Sequence, residues 1–411
     1  MESLLVLGRQ PELGLTELES LYGAAAIRPV GTQSVIVRVD PCLLAFDRLG
    51  GSKKFCKVLT TLQADNWQAI EQFLLSVAPD QSQRMPPGKM YLGLSVYDFP
   101  VNLKQLSATG LQLKRAITAT GRSVRFIPNK TTELTSAQVI HNHLTGPNGW
   151  ELVCIKDGHQ TIIAQTVKVQ DIASYTKRDR NRPQRNSKVG MLPPKLAQII
   201  LNLAVGRLPA KTLQSICDIP AGTPIPPPQL NQTILDPFCG SGVMLQEALL
   251  MGYAAYGTDI EQAMVQATKT NLHWLKDNFA IGNQEIRFET ANARRHTWIY
   301  PFDFIASETY LGPPLSGIPN AATLEKTMQI CDQLMNDFLS NLAPQLAPKQ
   351  RLCLAVPAWP DAHGGYRHLS TLDHLKDIGY TQVTFEHTKR PLIYHRTGQF
   401  VARELVVMNR N

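Results

Sequence analysis

Asp236-Pro237-Phe238-Cys239-Gly240-Ser241-Gly242 lies between an apolar run, Thr233-Ile234-Leu235, and a helical pattern that begins at Val243. It reads as a strand, a glycine turn and a helix. Glycines at 240 and 242 remove the Cβ atoms that would hold a ligand off the backbone, and the turn delivers that ligand to a helix N-terminus. A second acid, Asp259, follows the apolar run Tyr253 to Gly257, twenty-three residues after Asp236. That spacing suits one βαβ unit whose second strand ends in an acceptor for ribose hydroxyls.

The turn itself discriminates among adenosine ligands. A dinucleotide fingerprint needs a third glycine after Gly242, and a phosphate loop needs a lysine and a hydroxyl where Val243-Met244-Leu245 stand. An acid immediately before the glycines repels pyrophosphate but suits a ligand with an ammonium group and a sulfonium cation. S-adenosyl-L-methionine fits that description. Around the turn, the pattern of strands and helices alternates from residue 233 to 378 and predicts a parallel sheet wound with helices. Two strands in succession, 382–387 and 399–408, close the chain. Upstream, a single helix is expected over 194–216, then a breaker-rich loop, Pro220 to Pro228.

Asp236 to Gly242 resembles the D-P-F-C-G-S-G motif of the THUMP-domain RNA guanosine-N2 methyltransferases, the archaeal and eukaryotic group that modifies tRNA position 10. Gly252-Tyr253, Gly257-Thr258-Asp259-Ile260, Asn271-Leu272, Met191 to Ala197 and Tyr394 to Gln399 extend the likeness. It covers roughly the last 240 residues well and the first 170 more loosely. It implies an α/β protein: a C-terminal Rossmann-like class I methyltransferase domain behind an N-terminal α+β region. The expected parts are a ferredoxin-like segment at 1–60, a THUMP-like RNA-binding region at 61–172, a basic linker at 173–190 and the methyltransferase domain at 191–411. The implied activity is S-adenosylmethionine-dependent methylation of a guanosine N2 amine in tRNA, or in another structured RNA.

Ligands of open α/β sheets bind beyond the carboxyl ends of the strands, which selects the candidate residues. For the cofactor these are Asp236, Phe238, Gly240 and Gly242 after the first strand, Asp259 and Ile260 after the second, and Asn292 and Ala293 after the third. Families of this kind usually carry an acid near 292 for the adenine amino group; Asn292 offers its carbonyl instead. After the fourth strand amino methyltransferases carry Asp, Asn or Ser and then Pro-Pro-Tyr, because a ring-conjugated amine is a poor nucleophile and needs an acceptor for its proton. Here the chain reads Ser307-Glu308-Thr309-Tyr310-Leu311-Gly312. Keeping Gly312 on the glycine that usually follows the tyrosine puts Glu308 at the acidic position. Sliding by one puts Ser307 and Tyr310 at the two key places. Glu308 is the preferred acceptor, with Tyr310 as the nearby ring and Ser307 as the alternative.

The chain of 411 residues is long enough for two or three domains, and with 43% hydrophobic and 18% charged residues it has material for buried cores. Its formal charge of +8 favours a polyanionic partner. The densest cationic run is Lys177, Arg178, Arg180, Arg182, Arg185 and Lys188, with Asp179 the single acid. It reads either as a solvated linker or as a strap across RNA phosphates; the resembled group carries an R-D-x-x-R-P brace here. Seven scattered cysteines without a C-x-x-C pair argue against a disulfide framework or a zinc site, and a reduced, cytoplasmic setting is expected. No apolar segment reaches membrane-span length. Near the start, Thr16 with Glu19 three residues on reads as a capping box that opens a helix. Two rival functions remain: a non-catalytic RNA-binding protein on the same scaffold, and an amino methyltransferase acting on DNA or protein.

Overall fold

The computed structural model describes the chain except residues 1, 186–190, 219–226, 315, 316, 318, 362 and 390. It divides into two compact units that share the N-terminal stretch. The first takes Met1–Pro11, Ala25–Asp47 and Ser52–Ile172; the second takes Glu12–Ala24, Arg48–Gly51 and Ala173–Asn411.

The first unit is built on one eight-stranded sheet. In chain order its strands are β1 (Ser3–Leu7), β2 (Ile27–Val30), β3 (Ser34–Val37), β4 (Ser52–Leu62), β5 (Met90–Tyr97), β6 (Val124–Phe126), β7 (Gly149–Asp157) and β8 (Gln160–Val169). Their spatial order is β2-β3-β1-β4-β8-β7-β5-β6. The expected division at 60/61 falls inside β4, which bonds to β1 on one side and β8 on the other. A strand bonded on both edges cannot serve as a linker, so the sheet runs through that point without interruption. The Asp-Gly signal at 157–158 closes the β7–β8 hairpin as expected, with Gly158 at φ +61°. Ile70 and Leu74 of the helix Trp67–Gln83, and Leu106, Leu113 and Ile117 of the helix Leu103–Thr118, pack on Leu92, Leu94 and Leu152 of the sheet. Lys54 and Glu151 meet in its interior, at 1% and 0% side-chain exposure, where Ser95 and Thr166 also donate to the Glu151 carboxylate. A buried pair with its remaining lone pairs satisfied specifies register more than it adds stability.

The second unit is a doubly wound sheet. Its strands are β9 (Thr233–Asp236), β10 (Ala254–Asp259), β11 (Ile286–Thr290), β12 (Phe304–Glu308), β13 (Arg351–Pro360), β14 (Tyr366–Arg367), β15 (Tyr380–Gln382), β16 (Leu392–Tyr394) and β17 (Ala402–Arg410). The order is β11-β10-β9-β12-β13-β17-β15, parallel from β11 to β13 and antiparallel at β17. Helices Val243–Leu250 and Gln262–Asn278 pack on one face, where Leu245, Leu249, Leu272 and Leu275 surround Ala255. On the other, Phe338, Leu339 and Leu342 of the helix Ala321–Leu342 pack on Leu235, Ile305 and Leu354.

Three local expectations change. The helix expected over 194–216 is two, Pro194–Val205 and Ala210–Cys217, because Gly206 takes φ +71° and Pro209 follows. The strand expected at 382–387 ends at Gln382, since the N–H groups of Glu386 and His387 donate to the Glu19 carboxylate instead of a ladder. The capping box at Thr16 is absent: the helix begins at Pro11, where a missing N–H is harmless, and Thr16 sits mid-helix with its hydroxyl on Glu12 O at 2.8 Å. Except for Pro11, that helix belongs to the second unit.

Candidate active site

β9 ends at Asp236, which is 2% exposed. Its Oδ1 accepts from Ser307 Oγ at 2.5 Å and from Phe238 N at 3.3 Å. Burial pushes the Asp236 carboxyl up to about 7; the two hydrogen bonds oppose that, and the nearby Asp259 and Glu308 carboxylates add to it. The chain then turns through Gly240 at φ +50° and Gly242 at φ +84°, and the helix starts at Val243. A Cβ built on Gly242 would lie 2.8 Å from Thr268 Cγ2, whereas one on Gly240 would meet nothing nearer than 4.0 Å. The backbone at Gly240 is therefore open to a ligand. Thr268 Oγ1 donates to Gly240 O, and Asn271 Nδ2 donates to Ser241 O at 2.8 Å, which holds the turn from below.

Asp259, at the end of β10, accepts from Gly240 N at 2.9 Å through one oxygen and from Glu261 N at 2.9 Å through the other. Both oxygens keep a lone pair for ribose hydroxyls. Next to it Ile260 is 65% exposed, an apolar surface of the kind a purine face covers. Asn292 accepts from Arg294 N at 3.1 Å, an Asx turn that sets its carbonyl direction. Ala293 is buried at 5% and its carbonyl accepts from Asn341, so it anchors the loop from the core side. Phe238 stands edge-on to Phe338 at 5.0 Å. This donor set fits S-adenosylmethionine: a buried acid with a raised carboxyl calls for a cation, and residues 236–243 hold no positive charge that would receive a pyrophosphate.

β12 runs through Glu308, so Ser307 and Glu308 alternate across the sheet. Ser307 is committed to Asp236. Glu308 accepts through Oε1 from Arg403 Nε at 2.5 Å, and the two side chains are 17% and 2% exposed. Burial raises the Glu308 carboxyl, and Arg403 pulls it back. Tyr310, two residues on, is 42% exposed. The structure thus brings Asp236, Ser307 and Glu308 together at the carboxyl ends of β9 and β12. Trp359 is 2% exposed and belongs to the core. Tyr394, His395 and Arg396 serve their own turn: His395 bonds Tyr366 and Gln399 O, and Arg396 bonds Tyr394.

The basic run separates into two groups. Arg178 is 6% exposed, paired with Glu247 at 2.7 Å and stacked on Tyr175 at 3.9 Å. Arg182 is 3% exposed against Met191, and Lys177 donates to Asn278 O over the Phe279 ring. A guanidinium buried in this way cannot meet a phosphate, so Arg178 and Arg182 are corrected to structural residues. Arg180 and Arg185 remain exposed, and Lys188 lies outside the described residues. Gln184 exchanges two hydrogen bonds with Asn271, which ties this segment to the underside of the glycine turn.

Sequence reasoning missed Arg403, although a charged doublet, Arg403-Glu404, inside an apolar closing strand was a readable signal. It also passed over the stretch 84–132, which carries eight Lys and Arg against one acid, Asp98. Lys104, Lys114, Arg115 and Arg125 there are exposed on the helix Leu103–Thr118 and the edge strand β6. Arg122 is spent on the carbonyls of Ser82 and Pro86. Among the described residues no cluster of His, Cys, Asp and Glu is arranged to hold a metal, and no helix is long and apolar enough to cross a membrane.

No protein-family model matches the chain. Among characterised proteins it is 31% identical over 173 residues to a tRNA (guanine(10)-N2)-dimethyltransferase of Methanothermobacter thermautotrophicus, covering 42% of this chain and 40% of that one. A protein of the same name from Pyrococcus abyssi is 35% identical over 83 residues, 20% and 18% of the two chains. This chain resembles the tRNA (guanine(10)-N2)-dimethyltransferases. The matches span less than half of those relatives' length. Among solved structures, TrmN from Thermus thermophilus superposes over 100% of both chains with a TM-score of 0.51 at 16% identity. That agreement concerns the fold, and the strand order above is that of a class I methyltransferase sheet.

Proposed function

We propose that the protein is an S-adenosylmethionine-dependent RNA methyltransferase that modifies the N2 amine of a guanosine in tRNA. The observation that carries the reading is an acid, Glu308, at the end of β12 beside the Asp236 glycine turn. An acceptor for an amine proton and a seat for a cationic methyl donor then share one site. When bound, the cofactor supplies a methyl group on a positively charged sulfur. Asp236 offers its carboxylate to the positive charge, the Gly240 backbone leaves room for close approach, and Asp259 accepts from ribose hydroxyls. Asn292 and Ile260 are assigned to the adenine, through its amino group and its face. Glu308 accepts from the target amine through Oε2, orients its lone pair and takes its proton, while the exposed Tyr310 ring stacks on the base.

The first unit, which takes in most of the ferredoxin-like and THUMP-like parts of the expected layout, would grip the RNA by its phosphates, with Lys104, Lys114, Arg115 and Arg125 replacing the buried arginines of the basic run. In the second unit, the exposed Arg180 and Arg185 are assigned to phosphate contacts of their own. A cytoplasmic setting is in keeping with seven free cysteines. The test is transfer of radiolabelled methyl to unmodified tRNA by the protein and by Glu308→Gln, followed by nucleoside analysis. Label in N2-methylguanosine that collapses in the variant supports the reading. Cofactor and tRNA binding without transfer would favour a binding protein on the same scaffold.

A further inference from the structure

A carboxylate that accepts from an amine must keep both its charge and its orientation, and at Glu308 both depend on a strand remote in sequence. β17 runs antiparallel to β13, so its first residues lie at the carboxyl ends of the parallel strands. The register sets Arg403 opposite Pro357, and Glu308 opposite Ala355, so the arginine reaches across β13 to Glu308. On its other side Arg403 pairs with Tyr394 of β16. We propose that Arg403 is a positioning residue for methyl transfer, which fixes the Glu308 carboxylate by Oε1 and leaves Oε2 to accept from the target amine. The proposal rests on the functional reading above.

Glutamate has one more rotatable bond than the aspartate usual at this place, and its last torsion is broad. A charge-assisted hydrogen bond from a buried guanidinium removes that freedom at one oxygen. The charge is equally at risk. The charged groups that act with Glu308 are Arg403 from β17 and the Asp236 carboxylate from β9. Burial favours a protonated Glu308, which would donate to the amine instead of accepting; Arg403 opposes it by charge and hydrogen bond. In the transfer step the N2 lone pair would bond to the methyl carbon as that carbon's bond to sulfur breaks, the bonding pair leaving with the neutral thioether, and N2 would lose one proton. That proton bonds to Oε2, the N–H pair stays on nitrogen, and solvent takes the proton when product leaves.

The test uses the full chain with Arg403→Met, Arg403→Gln and Arg403→Lys, each first checked for folding by thermal melting. Gln keeps a donor without the charge and guards against a Met variant that does not fold. One readout is independent of turnover: carbon-13 carboxyl titration of glutamate-labelled protein, with the Glu308 signal assigned by its loss in Glu308→Gln. The other is the pH profile of kcat on unmodified tRNA. Removing the charge should move the Glu308 titration and the acid limb of kcat upward together by about 1–3 pH units, and Arg403→Lys should recover part of the shift. Below the new limb kcat should fall about tenfold per unit. A limb that stays in place while kcat falls equally at every pH would overturn the proposal and leave Arg403 a packing residue. No transfer by the unaltered protein would instead sink the functional reading, whatever the titration shows.

Discussion

Ser307→Ala removes the side-chain hydrogen bond that joins β12 to the glycine turn. Ser307 Oγ donates to Asp236 Oδ1 at 2.5 Å, and it is the larger of the two hydrogen-bond effects that hold the Asp236 carboxyl down at about 7. A hydrogen bond to a buried charge contributes about 1.5–3 kcal/mol, or roughly 1–2 pKa units. Without it the Asp236 carboxyl should rise to about 8–9. At about pH 7 the ionised fraction would drop from roughly one half to between about one tenth and about one hundredth. Because the ionised form is the one that receives a sulfonium or ammonium cation, cofactor affinity at that pH should weaken by about 5- to 50-fold. The sign is fixed: affinity falls as pH falls through the Asp236 value, and the variant approaches the parent protein as pH rises. Calorimetric titration with S-adenosylmethionine from about pH 6 to about pH 9, in buffers of different ionisation enthalpy, gives both affinity and the protons released. S-adenosylhomocysteine, which lacks the sulfonium charge, should show a shallower dependence. A flat pH profile in both proteins, or a variant equally weak at every pH, would refute the role given to Asp236.

Gly242→Ala should abolish cofactor binding at a cost in stability of about 1–3 kcal/mol, because φ +84° and the nearby Thr268 side chain both oppose a Cβ; calorimetry with urea unfolding checks both. Arg178→Ala should cost about 3–5 kcal/mol by stranding the buried Glu247 and leave the salt dependence of tRNA binding unchanged. Lys114→Ala with Arg115→Ala should do the reverse, lowering the slope of log affinity against log salt by about one for each phosphate no longer neutralised; filter binding at several salt concentrations separates the two. Glu17 is pushed up to about 7 by burial, against donations from Asn202, Gly51 and Gly50. Its folded value lies above its unfolded one, so the stability it contributes is complete below the unfolded value and is lost as pH rises through about 7. Glu17→Gln should flatten that part of the stability curve, and should cost about 1–3 kcal/mol by turning its amide NH2 toward one of the two N–H groups, Gly50 or Gly51, that donate to separate Glu17 oxygens.

Much of the cofactor half was legible because its signals are local. Glycines with positive φ, an acid at a strand end and a βαβ spacing act within some twenty-five residues, and the turn from Asp236 to Gly242 follows β9 and Asp259 ends β10, the places their spacing gave them. The parallel sheet followed from alternation of strand and helix, since each amphipathic helix can bury its face only against such a sheet. What escaped were partnerships between distant residues. Nothing near Arg178 announces Glu247, and the same row of cations reads alike whether its guanidinium groups face water or a buried carboxylate. Nor does the sequence around Thr16 reveal that Glu19 caps the chain at Glu386 and His387, which moves the first helix into the second unit. The composition of β12 left Ser307 and Glu308 as alternatives for one role. Tertiary structure gave each a different partner, Asp236 from β9 and Arg403 from β17, because adjacent residues of a strand face opposite ways and each must satisfy its polar group with whatever the neighbouring strands bring.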